Sequence, residues 1–123
     1  MPDLGTEQIV IYKFDLSTGK LFSHNTVALH AGAGPRHLVF HPSGTYAYVI
    51  NELDSTITAY KYDVQNGALA EIQTITTLPA EFTGTSWCAD IHIDATGSFL
   101  YGSNRGHDSI VVYSITFDTG KLE

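Results

Sequence analysis

Gly34-Pro35-Arg36-His37-Leu38-Val39-Phe40-His41-Pro42-Ser43-Gly44, followed by Tyr46-Ala47-Tyr48-Val49-Ile50-Asn51-Glu52, is the stretch that decides the fold. A polar, turn-rich lead-in runs into an alternating segment. Pro42-Ser43-Gly44 reads as a tight turn, since proline presets φ and glycine tolerates positive φ. A second run rich in Tyr, Val and Ile then ends on an exposed-looking Asn-Glu pair. Alternation with a period of two between turn signals predicts an antiparallel strand–turn–strand unit.

Working outward, the unit repeats. Ile9–Asp15 leading to Gly19, Ile57–Asp63 leading to Gly67, and Ile110–Ile115 leading to Gly120 share one pattern. Tyr12, Tyr60 and Tyr113 are 48 and 53 residues apart, and so are the three glycines. Ser43–Tyr48 matches Thr96–Tyr101, and Asn51 matches Asn104. The five extra residues fit the loop Leu78–Gly84. The complete copy holds four strand-like runs, at roughly 37–41, 46–51, 56–63 and 69–76. Four strands in about 40–50 residues is the mark of a β-propeller blade. The expected fold class is therefore all-β, about two and a half four-stranded blades of a propeller. One partial β-propeller domain, 1–123, divides into a blade remnant at 1–30, a complete blade at 31–77 and a partial blade at 85–123. Propellers close with about 4–8 blades, so the chain is expected to be a fragment with open blade faces that self-associates through them.

Composition bounds the chemistry. The 123 residues are 43 % hydrophobic and 15 % charged, which is globular, and seven Tyr and six Phe favour strands. A net charge of -7 argues against a nucleic-acid partner, which needs a basic face. No apolar run reaches the about 20 residues of a membrane helix, so no membrane partner is expected. The single Cys88 excludes an internal disulfide and fits a reducing, cytoplasmic setting.

In a blade, the loop entering the first strand and the loop after the second lie at the same end. Arg36, His37, Glu52, Asp90, Arg105 and Asp3 should therefore converge on one channel mouth, with Trp87 beside them. Both arginines of the chain fall in these loops, while Lys13, Lys20, Lys61 and Lys121 fall in outer hairpins. Two guanidinium forks aimed at one cleft suit a small anion. Glu52 and His37 are the candidate proton-transfer groups. The alternative reading makes the Glu–Arg contacts a structural ion pair bracing neighbouring blades. His41 and His92 sit on inner strands, where His37 with His41, or Asp90 with His92, could share a face. The clustered His/Cys spacing of a metal site is absent, and neither metal nor cofactor is expected. Cys88 reads as packing, and no nucleophile elbow or phosphate-cradling glycine loop is present.

At these residues the sequence resembles the seven-bladed lactonase family, which groups propeller-type 6-phosphogluconolactonases with carboxymuconate-lactonizing enzymes. The matching pieces are Asp3-Leu4-Gly5-Thr6, Gly34–Pro42, Tyr48–Leu53, Ala89-Asp90-Ile91-His92 and Ser103-Asn104-Arg105-Gly106. The resemblance implies a seven-bladed ring and a cleft using Arg36, Glu52 and Arg105, with a further histidine from a blade that has no counterpart here. It implies a lactone as substrate, and the blade geometry above places Arg36, Arg105, Asp90, Asp3 and Trp87 to contact a small anionic one. Hydrolysis without metal, in the manner of 6-phosphogluconolactonase, is the leading expectation, with the isolated chain inactive. A carboxymuconate-type cycloisomerase and a non-enzymatic binding platform are the alternatives.

Overall fold

Alternating Val, Ile, Thr and Tyr segments punctuated by glycine turns leave the backbone no option but sheet, and the computed structural model, which describes residues 1–123, contains ten strands. β1 (Pro2–Asp3), β2 (Gln8–Asp15) and β3 (Lys20–Ala28) form one antiparallel sheet. β4 (Pro35–Phe40), β5 (Tyr46–Asn51), β6 (Thr56–Asp63) and β7 (Ala68–Thr76) form the second, in that order. β8 (Trp87–Ile93), β9 (Phe99–Arg105) and β10 (Ser109–Ser114) form the third, extended by a bridge between Ile115 and Leu122. This is a run of propeller blades with β4 and β8 as inner edges.

The first strand of the complete blade starts two residues earlier than the pattern suggests. Pro35 opens β4 because an edge strand tolerates its missing N–H. His41 falls outside the strand; its N–H closes the turn onto the Tyr46 carbonyl at 2.9 Å.

The repeat is visible in the backbone as well. Glu7, Ser55 and Asp108 all have φ of 52–56°, at the same spacings of 48 and 53. Each is the left-handed residue of the turn between second and third strands. Irregularities recur too: β2–β3 shifts register beside Tyr12 and β6–β7 beside Tyr60.

Packing happens between sheets, face to face. Strand β5 is buried at every position, because both of its faces are covered. Tyr46, Tyr48 and Ile50 with Ile57 and Ala59 pack against Cys88, Ile91, Leu100, Tyr113, Ile115 and Leu122 of the third sheet. Val49 and Tyr60 pack against Ile9 of the first. Each fully buried Ile or Leu contributes about 1.5–3 kcal/mol, so the second seam holds the larger share of the stability. The outer face of the third sheet repeats the same apolar positions without a cover: Phe99, Ile110 and Val112 are 45 %, 62 % and 52 % exposed. Their counterparts one repeat earlier, Tyr46, Ile57 and Ala59, are at most 7 % exposed. That face is shaped for another blade.

Candidate active site

Two β-bulges build the site. Pro35 pairs with Asn51 but His37 pairs with Ile50, so Arg36 is an extra residue on β4. On β8, Cys88 pairs with Asn104 and Ile91 with Gly102, which inserts an extra residue at Ala89/Asp90. A bulge re-aims a side chain and leaves ladder groups unpaired. Here the freed groups are carbonyls, and arginines take them. Arg36 Nη1 donates to Ala89 O at 2.6 Å, and Arg105 Nη2 donates to Cys88 O at 3.3 Å.

Both guanidinium groups also grip Glu52. Arg36 Nε lies 2.9 Å from Oε2 and Arg105 Nη2 lies 2.6 Å from Oε1. The Glu52 side chain is only 20 % exposed, while Arg36 and Arg105 are 34 % and 53 % exposed. The backbone holds the same point: Glu52 N–H donates to Gly34 O at 2.7 Å, and Cys88 N–H donates to Glu52 O at 3.3 Å. Gly34 has φ +63°, and a Cβ there would meet Leu53 Cγ at 2.4 Å, so only glycine fits beneath the Glu52 loop. One carboxylate against two guanidinium groups leaves a local excess of positive charge. Arg36 keeps its Nη2 group, and Arg105 its Nε and Nη1, for a further acceptor.

Beside this cluster, His37 and Asp90 meet across the seam between second and third sheets, with Nδ1 3.5 Å from Oδ1. Asp90 Oδ2 lies 2.9 Å from His92 Nε2. That hydrogen bond first, then the Ile91 N–H, holds the Asp90 carboxyl below the usual carboxylate range. Trp87 faces Arg105 across the β8–β9 ladder and is 45 % exposed.

Other expected residues go elsewhere. Asp3 does not join the arginines; its Oδ1 accepts the N–H groups of Gly5 and Thr6 at 3.1 Å each and ties its own turn. It occupies the repeat position of Asn51 and Asn104, whose Nδ2 groups instead donate to Thr56 and Thr58 Oγ1 and to Thr77 O and Ser109 Oγ. His41 does not share a face with His37: it is 4 % exposed, with Nε2 2.9 Å from Gly97 O and Nδ1 2.8 Å from Ser43 Oγ. His24 and His30 lie at the surface and meet Asn66 O and Asp54. Cys88 is fully buried, its thiol donating to Asn104 Oδ1 at 3.3 Å, and burial pushes its pKa up. No three His, Cys, Asp or Glu side chains are grouped as a metal ion would need.

His92 takes the shared-face place its spacing from Asp90 allows, and the two side chains are hydrogen-bonded. Two other participants escape a reading of the sequence. Backbone carbonyls 88 and 89 leave no trace in residue type. Thr77, whose hydroxyl donates to Asn104 Oδ1 at 2.7 Å and contacts Cys88 Sγ at 3.2 Å, looks like a loop residue.

Comparison with known proteins agrees with this fold. A family model described as "Lactonase, 7-bladed beta-propeller" matches residues 1–123. The chain is 40 % identical over 123 residues to a 6-phosphogluconolactonase of Pectobacterium carotovorum, covering 98 % of this chain and 37 % of that protein. The crystal structure of a Lactobacillus plantarum protein superposes with a TM-score of 0.93 at 40 % identity, over 98 % of this chain and 35 % of that one. The periplasmic gluconolactonase of Pseudomonas aeruginosa superposes with a TM-score of 0.91 at 31 % identity, over 99 % and 35 % respectively. The chain thus spans a little over a third of the length of these relatives. It is a portion of a propeller, and it belongs to the seven-bladed β-propeller lactonase family.

Proposed function

We propose that this chain carries the arginine side of the active site of a lactone hydrolase acting on a phosphorylated sugar-acid lactone, as its relatives named 6-phosphogluconolactonase suggest. The observation that carries the reading is the convergence of two guanidinium groups from adjacent sheets on Glu52, with N–H donors left over.

Glu52 spends Oε2 on Arg36 and Oε1 on Arg105, so its role is to hold the two forks at a fixed separation. His37 keeps a ring nitrogen for water and serves as the general base. Water oxygen attacks the lactone carbonyl while its proton passes to His37. The carbonyl π electrons move onto oxygen, and the oxyanion is stabilised by free N–H groups of Arg36 and Arg105. Collapse of this intermediate breaks the ring C–O bond, and the leaving oxygen takes the proton back from the imidazolium. The product is the open hydroxy acid. Asp90 and Trp87 line the same mouth and contact the substrate.

The test is Arg105→Lys in the complete polypeptide that contains this chain. It keeps the charge but loses the fork. A fall in kcat/KM on 6-phosphogluconolactone of roughly tenfold or more is expected, the scale of one oxyanion donor being about 10²–10³. An unchanged kcat/KM overturns the role of Arg105. A binding platform would instead show no melting shift with 6-phosphogluconate and no turnover.

A further inference from the structure

His37 and Asp90 hold the same place in successive sheets, 53 residues apart, each at or just after the bulge of an inner strand. Strands β4 and β8 lie side by side across the seam. The result is a contact across the seam, His37 Nδ1 to Asp90 Oδ1 at 3.5 Å.

Asp90 is fixed from several directions. Its N–H donates to Ser103 Oγ at 2.9 Å, and its Oδ1 accepts the Ile91 N–H at 2.9 Å. Its Oδ2 meets His92 Nε2 at 2.9 Å. A fixed, ionised carboxylate beside one ring nitrogen of a histidine selects the tautomer that carries its proton there. The other nitrogen is then the proton acceptor. The nearby charged groups on the elements packed around the pair are Arg36 on β4, Glu52 after β5, His92 on β8 and Arg105 on β9.

We propose that Asp90 is the positioning residue of His37, holding Nδ1–H toward its carboxylate so that Nε2 presents its lone pair to water, and that His92 anchors Asp90 for this purpose. The inference rests on the reading of His37 as general base. It makes the base a device shared between two blades, like the arginine clamp beside it. At 3.5 Å the contact is longer than a hydrogen bond, and it shortens when substrate fills the mouth. His92 sets the other end of the lever, so its loss lets the carboxylate swing.

The experiment compares His37→Gln, Asp90→Asn, Asp90→Glu and His92→Phe in the complete polypeptide. The readouts are kcat and KM on 6-phosphogluconolactone against pH, and the tautomer of His37 from imidazole nitrogen NMR. His37→Gln should lose about 10²–10⁴-fold in kcat, the span of a general base. Asp90→Asn should lose roughly tenfold to 100-fold in kcat with KM little changed, together with a shift of the His37 tautomer toward Nε2–H. Asp90→Glu should recover part of that loss, and His92→Phe should move kcat and tautomer in the same direction by less. An inactive His37→Gln beside an Asp90→Asn of wild-type kcat and tautomer overturns the positioning role while leaving His37 as base. A fully active His37→Gln overturns the base assignment itself. Should Asp90→Asn fail to fold, an unaltered kcat and tautomer in His92→Phe overturns the proposal.

Discussion

Replacing Glu52 by Gln separates a site from a brace. The substitution removes the charge between Arg36 and Arg105 and keeps the shape. Glu52–Arg105 has its arginine 53 % exposed, which puts it within the about 0.2–1 kcal/mol of surface pairs. Glu52–Arg36 is drier, with 34 % and 20 % exposure, and it lies at the low end of hydrogen bonds to charged groups, about 1–1.5 kcal/mol after discounting for solvent. Together they predict a loss of about 1–2.5 kcal/mol for Glu52→Gln. Ile57→Ala supplies the scale. Ile57 is fully buried in the seam, and its truncation should cost about 2–5 kcal/mol. Urea unfolding of both variants, at low and high salt, reads the difference as a shift in midpoint at constant slope. The Glu52 loss should be the smaller of the two and should shrink in salt, since exposed pairs are screened. A salt-independent loss above about 3 kcal/mol would mark a buried structural pair and refute the assignment of this cluster to substrate.

Gly34→Ala should destabilise by about 1 kcal/mol or more from its left-handed φ alone, and it should also lower activity, because Leu53 must move and carries the Glu52 loop with it; activity retained at wild-type level would separate the loop from the site. Melting temperature should fall as pH drops from about 4 toward 2. Asp15 is lowered from 3.8 to about 2, mainly by the Ser17 hydroxyl, and Asp63, Asp90 and Asp94 are lowered through their own hydrogen bonds. A depressed carboxyl contributes above its unfolded value and stops doing so as pH falls through its folded value, so a flat melting profile over this window would contradict the capped turns. The 123-residue chain alone should associate through the uncovered face of its third sheet, and Val112→Glu should reduce that association in sedimentation; a monodisperse parent chain would count against it.

Much of the fold was legible because a blade is written twice over: alternation marks each strand, and the spacing of tyrosines and glycines marks each repeat. The location of Arg36, Glu52 and Arg105 at one end followed from blade geometry, and the contacts among them bear this out. What stayed hidden has a common cause. A bulge is one extra residue against a partner strand, so it is a property of two segments rather than one. Arg36 reaches Glu52 and the Ala89 carbonyl only because β4 and β8 are both bulged. Asp3 misled for the converse reason. It stands where Asn51 and Asn104 stand, but its carboxylate is taken by the N–H groups of Gly5 and Thr6 within its own segment.

The two seams are unequally finished, and this sets an order of events on unfolding. Thr77 and Cys88 give the Asn104 carboxamide oxygen two donors, whereas Leu29 and Pro35 at the corresponding places leave Asn51 Oδ1 buried without one. The first seam buries a cluster of 3 core residues and the second a cluster of 11. Amide hydrogens of the first sheet should therefore exchange with solvent well before those of β5, β6 and β9. Arg36, Glu52 and Arg105 all belong to the slower seam. The anion clamp would stay assembled in a partially opened molecule, held together by the last pair of sheets to let go.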